Sequence, residues 1–158
     1  MLIRYLIIFF VSMVPLIELR LAVPMATGMG LPYWPSLIVC VIGNMLPVPV
    51  IYFFARKVLI WGANKKYIGK FFTFCLEKGE KAGQKLTRTA GRKGLFLALL
   101  IFVGIPLPGT GAWTGTLGAS FLNMGIKSTV LAVSLGVLLA GCIMGLISVG
   151  AFSIIGIT

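Results

Sequence analysis

The chain has 158 residues, of which 59% are hydrophobic and 11% charged, and its mean hydropathy is +1.07. A soluble domain carries about 25% charged residues, so there is too little polar surface here to cover a water-soluble core. The net charge of +11 suits a nucleic-acid binder, but its placement excludes that reading: eleven of the 14 Lys and Arg residues fall between Arg56 and Lys93, the positive-inside pattern of one cytoplasmic segment.

In chain order, Leu2 to Met13 is predicted as a short apolar helix, followed by a Pro/Gly-broken segment from Val14 to Pro35 and a long apolar helix from Ser36 to Trp61. Residues 1–26 have some features of a cleaved signal: Arg4, an apolar run from Tyr5 to Ile17, and small residues from Ala22 to Ala26. Glu18 and Arg20 directly after the apolar run argue for retention. Residues 62–93 form a basic segment. Within it Tyr67, Ile68, Phe71, Phe72, Phe74, Cys75 and Leu76 make an apolar stripe among lysines. The stripe reads as an amphipathic helix lying on the membrane surface or packed on the membrane core. The basic segment also has the charge to gather anionic lipid headgroups.

The second half repeats the order of the first. An apolar helix from Leu95 to Gly104 is followed by a broken segment from Ile105 to Gly125 and a long apolar helix from Ser128 to Ile155. Val14-Pro15-Leu16 lies opposite Ile105-Pro106-Leu107, and Thr27-Gly28-Met29 opposite Gly118-Ala119-Ser120. Paired Gly/Pro-interrupted segments in corresponding halves point to a transport site. The leading helix Leu95–Gly104 would rise only ~15 Å, about half a bilayer. Each leading helix with its broken segment is therefore read as a re-entrant hairpin. The expected fold is all-α and integral to the membrane, an inverted repeat of re-entrant helical hairpin plus long transmembrane helix. Its parts are 1–61, 62–93 and 94–158, with both termini outside. The competing topology makes each broken segment a kinked span, giving four crossings with both termini inside; Arg4 favours it.

Three places carry candidate chemistry. Glu18 is one of three acids, with Glu77 and Glu80, and sits in an apolar run between Pro15 and Pro24, which argues against an unbroken helix there. A charge at bilayer depth costs roughly 2.5–3.5 kcal/mol, so it pairs, faces a cavity or has a function. Arg20 is the nearby partner. The two form either a static ion pair or a proton-carrying carboxylate tuned by a cation and open to an anionic substrate. The second place is Gly43-Asn44 with Pro47 and Pro49, which interrupt the first long helix; Asn44 either lines a cavity or makes one interhelical bond. The third is the run containing Pro106, Pro108, Gly109, Thr110, Gly111, Trp113 and Thr114. A helix starting near Thr110 would point free N–H groups at an anion; a tight packing turn is the alternative. Tyr33 and Trp34 read as an interfacial anchor. Cys40, Cys75 and Cys142 show no metal spacing, and there is no histidine. No nucleophile–base or metal set is visible, so neither an enzyme nor a cofactor is expected.

Three motifs resemble the bacterial and archaeal small multi-drug export protein family: Pro15-Leu-Ile-Glu18-Leu-Arg20, Gly43-Asn44 with Pro47-Val-Pro49, and Pro106-Leu-Pro-Gly-Thr-Gly-Ala-Trp113-Thr-Gly115. That family is in turn distantly similar to the DedA (VTT, SNARE-associated) superfamily of re-entrant-loop proteins. Leu21 departs from the pattern, which has a small residue there, often glycine. The resemblance implies facing re-entrant loops and a multi-pass protein of a prokaryotic inner membrane. It also implies a transporter, proton-coupled, for a small organic or lipid-linked anion or a drug. So short a chain would form a homo-oligomer. The rivals are a lipid scramblase or polyprenyl-phosphate flippase, and a membrane assembly factor that transports nothing.

Overall fold

A computed structural model describes residues 1–15, 17–107 and 109–155. Among these residues all regular structure is α-helical: α1 (Leu2–Met13), α2 (Glu18–Gly28), α3 (Tyr33–Met45), α4 (Pro47–Ala63), α5 (Gly69–Gly104), α6 (Ala112–Phe121) and α7 (Ile126–Ile155).

Two helical stretches are long and apolar enough to cross a bilayer, which needs ~20 residues. One is Tyr33–Ala63, of 31 residues and mean hydropathy 2.2; the other is Ile126–Ala151, of 26 residues and mean hydropathy 2.6. They begin earlier than the predicted Ser36 and Ser128. Large apolar side chains cover their outer faces, among them Ile38, Val50, Phe54, Leu131 and Leu146. A face of that kind needs lipid or another apolar cover.

Proline ends the leading helices as expected. Val14 before Pro15 (φ −71°, ψ 130°) and Ile105 before Pro106 (φ −81°, ψ 118°) are both extended, because a proline disfavours the helical region for the residue before it. Two other proline expectations are corrected. Pro24 lies inside α2 without ending it. Pro47 and Pro49 do not break the first span either: Leu46 keeps helical angles (φ −61°, ψ −42°), and Pro47 opens α4, where its missing N–H costs least. In a membrane, packed neighbours make up for such lost bonds.

Each broken segment holds a helix that sequence periodicity did not reveal, and the two helices end in the same way. After α2, Met29 N–H donates to Met25 O and Leu31 N–H to Ala26 O, around Gly30 (φ 70°). After α6, Leu122 N–H donates to Gly118 O and Met124 N–H to Ala119 O, around Asn123 (φ 57°). Both turns use a left-handed residue to close the helix. The packing also matches. α1 lies on α2 and α3, as α5 lies on α6 and α7. A Cβ on Gly43 would fall 2.6 Å from Phe9 O, and one on Gly136 would fall 2.8 Å from Leu100 O. Across the halves, α2 packs on α7 and α6 on α4.

The basic segment enters α5, which bends at Gly91 (φ 70°, ψ 176°). The bend precedes the predicted boundary at Lys93. Residues 69–90 lie against the end of α6: a Cβ on Gly79 would sit 2.5 Å from Phe121 O. The apolar stripe is divided. The Phe72 ring packs at Gly62, while Phe71 and Phe74 are exposed.

Candidate functional site

The start of α6 meets the start of α2. Ala112 is the first residue of α6, and Gly111 precedes it with φ 140°. A capping side chain would ordinarily come from Ser, Thr, Asp or Asn at that position. Here the cap comes from the other half of the chain. Glu18 Oε2 accepts the Ala112 N–H (3.2 Å) and Oε1 accepts the Trp113 N–H (3.0 Å). An anion at a helix N-terminus is stabilised by about 0.3–2 kcal/mol. Glycine suits position 111, because L side chains rarely adopt its φ and a Cβ there would force the Glu18 carboxylate to shift.

Glu18 is 4% exposed and has a left-handed backbone (φ 49°). For a non-glycine residue that conformation costs about 1–3 kcal/mol. Burial opposes the carboxylate's charge; the two N–H donors, the α6 dipole and the Arg20 charge favour it.

Arg20 does not close a simple pair with Glu18. Its guanidinium reaches across to the second loop. Nη1 donates to Leu107 O, and Nη2 donates to both Thr110 O and Thr110 Oγ1. The single Thr110 hydroxyl proton in turn has Ile105 O (2.7 Å) and Leu107 O (2.9 Å) within reach as acceptors. The exchange is reciprocal. Trp113, two residues past Gly111 as Arg20 is two past Glu18, donates its indole N–H to Met13 O at the end of α1 (3.2 Å). Each half thus reaches into the break of the other.

The other expected residues divide. Thr110, Gly111 and Trp113 join Glu18 and Arg20. Pro106 is half-buried in the same loop, Gly109 is exposed, and Pro108 lies outside the described residues. Thr114 Oγ1 turns back to Gly111 O (3.5 Å). Asn44 is 2% exposed and its Oδ1 finds no partner, but no hydrogen bond among the described residues joins it to Glu18 or Arg20. Pro47 is buried; Pro49 faces outward. Leu21 also points outward, 57% exposed, so its bulk does not enter the contact between the starts of α2 and α6. Tyr33 is a packing residue more than an anchor: its hydroxyl donates to Gly141 O (3.1 Å), while Trp34 is exposed.

Sequence reasoning missed a second polar tie. Tyr52 on α4 donates its hydroxyl to Met124 O, and Ser120 donates to Tyr52 O (3.2 Å). Tyr52 stands in no motif or broken segment, and Ser120 and Met124, inside the second broken segment, carried no assigned role. Among the described residues no group of three or more His, Cys, Asp or Glu could hold a metal ion.

The family model described as "Putative small multi-drug export protein" matches residues 18–143, which include α2, α6, the whole first apolar span and most of the second. No curated protein and no solved structure matches the chain.

Proposed function

The chain belongs to the small multi-drug export protein family, and on that premise we propose that it is a small proton-coupled secondary transporter whose site lies between two facing re-entrant loops. The observation that carries the reading is the Glu18 carboxylate seated on the N-terminus of α6. A proton on Glu18 removes its charge and one acceptor. The Ala112 and Trp113 N–H groups then become available to a substrate anion, beside the Arg20 guanidinium. Loss of the proton returns the carboxylate and expels the anion. Proton and substrate are coupled because the Glu18 carboxylate and the substrate anion compete for a single pair of donors, so that protonation favours anion binding. Asn44 and Pro47 are proposed as the inner wall of the path.

The matched turns after α2 and α6, the matched glycine contacts and the cross-packing of α2 on α7 and α6 on α4 support an inverted repeat of hairpin plus span. On this reading the parts are 1–61, 62–93 and 94–158. The basic segment faces the cytoplasm of a prokaryotic cell, both termini lie outside, and a homo-oligomer encloses the path. The link to the DedA superfamily rests on the resemblance of motifs.

The test is flux into proteoliposomes under an imposed proton gradient, with a panel of radiolabelled organic anions and cationic drugs. The expected result is gradient-driven uptake of an anion that falls about tenfold or more in Glu18→Gln, the loss of roughly 1.4 kcal/mol of coupling. Uptake that survives the substitution and ignores the gradient would sink the proton-coupling claim. Dye-labelled phospholipids in the same vesicles test the scramblase alternative. Topology has its own check. An impermeant maleimide applied to right-side-out vesicles should label a cysteine added at the C-terminus and spare Cys75. An unlabelled C-terminus overturns the hairpin topology.

A further inference from the structure

Two hollows on the basic side of the molecule share Arg92 as a common wall. The first, of about 410 Å³, lies between residues 69–90 and the end of α6. It is lined by Arg88, Arg92, Gln84, Thr87 and Asn123, with Glu80 as the acid among its lining residues. Arg56 donates to Asn123 Oδ1, which brings a further guanidinium to the back of the cup. The second hollow, of about 430 Å³, runs from Arg92 and Lys93 over Phe96 and Leu97 to Ser128 at the start of α7. The bend at Gly91 falls between Arg88 and Arg92, where the basic helix gives way to the apolar one. The polar cup therefore opens next to an apolar groove, with cations at the junction.

We infer that the two hollows form one site for an anionic membrane lipid. Its phosphate sits in the Arg88–Arg92 cup, and one chain lies over Phe96 and Leu97. Guanidinium forks match phosphate oxygens in pairs, and Gln84, Thr87 and Asn123 supply neutral polar groups around them. A soluble phosphate would use the cup and have no use for the groove. A second copy of this chain is a poor occupant, since it carries only 3 acids against 14 bases. An anionic lipid meets both halves of the site. A basic segment at the cytoplasmic face already draws such lipids to it. The site stands whether or not the chain transports anything.

The test uses delipidated full-length protein in detergent, titrated with phosphatidylglycerol, phosphatidylcholine or soluble glycerol phosphate, with bound molecules counted by native mass spectrometry. Phosphatidylglycerol should bind most tightly. Arg88→Gln/Arg92→Gln should weaken it about tenfold or more, while Lys65→Gln/Lys66→Gln, which removes the same charge elsewhere, should change it by less than about twofold. Phe96→Ala/Leu97→Ala should weaken the lipid and leave glycerol phosphate unchanged. Arg88→Lys/Arg92→Lys keeps the charge and should still lose part of the affinity, so it reads the site if the glutamine pair fails to fold. Equal loss in the two glutamine pairs would reduce the effect to diffuse attraction. Glycerol phosphate binding as tightly as the lipid, or dimers forming in place of lipid adducts, would also overturn the proposal.

Discussion

Gly111→Ala will unseat Glu18 and cost the protein about 3 kcal/mol or more. Two effects add. Position 111 has φ 140°, which an L side chain rarely adopts, and that strain costs about 1–3 kcal/mol. The new methyl would also occupy the place of the Glu18 carboxylate. Once displaced, the carboxylate leaves the Ala112 and Trp113 N–H groups without acceptors, at about 1–3 kcal/mol for each buried group. Gly109→Ala is the matched control. Its φ is 84°, but nothing lies within 4 Å of the added Cβ, so it pays the strain alone. Thermal unfolding in detergent should rank the variants wild type, Gly109→Ala, Gly111→Ala. In the double variant Glu18→Ala/Gly111→Ala the clash is gone, and the two losses should fall well short of adding. Full additivity would mean that the carboxylate does not sit where the contact requires.

The second large effect is expected from Arg20→Lys, a change that keeps the charge. The guanidinium spans Leu107 O and Thr110 O with different nitrogens. A single ammonium has no planar fork and cannot hold both carbonyls in that geometry. A hydrogen bond to a charged group contributes about 1.5–3 kcal/mol, and Arg20 is partly exposed, so a loss of about 2 kcal/mol is expected. The structural readout is local: residues 105–111 should become cleavable by protease in Arg20→Lys while α7 stays protected. A loop as resistant as the wild type's would show that Arg20 does not hold it.

Much of this architecture was legible because apolar length and proline are local signals. α1 falls on the predicted Leu2–Met13, and the second leading helix ends at the predicted Gly104. The spans differ from prediction by two or three residues at their starts. Of the helices inside the broken segments, α6 starts two residues after the helix expected near Thr110, while α2 was not legible. α2 and α6 are only 11 and 10 residues long, and Pro24 and the glycines hide their periodicity. The Glu18–Arg20 pairing was the natural local reading, and a helical register argues against it: residues two apart on a helix do not face each other. With Glu18 left-handed at the start of α2, the two side chains find different partners. Those partners lie about ninety residues away in the chain, where sequence offers no register. Gly111 showed as a glycine in a loop, but nothing in the sequence says that a distant carboxylate takes the place of its side chain.

The reciprocal grip of the two halves has unequal arms. On one side Arg20, charged, holds two carbonyls and a hydroxyl of a long loop; on the other, Trp113, neutral, holds the single carbonyl of Met13 at the edge of a short one. A neutral bond contributes about 0.5–1.5 kcal/mol and charge-assisted ones more. Every 1.4 kcal/mol of difference shifts a population tenfold. In the transport cycle proposed above, then, the two contacts would not open equally often. On the proposed function, the Trp113 contact is the readier to yield, a bias written into two side chains that would give the cycle a preferred starting point.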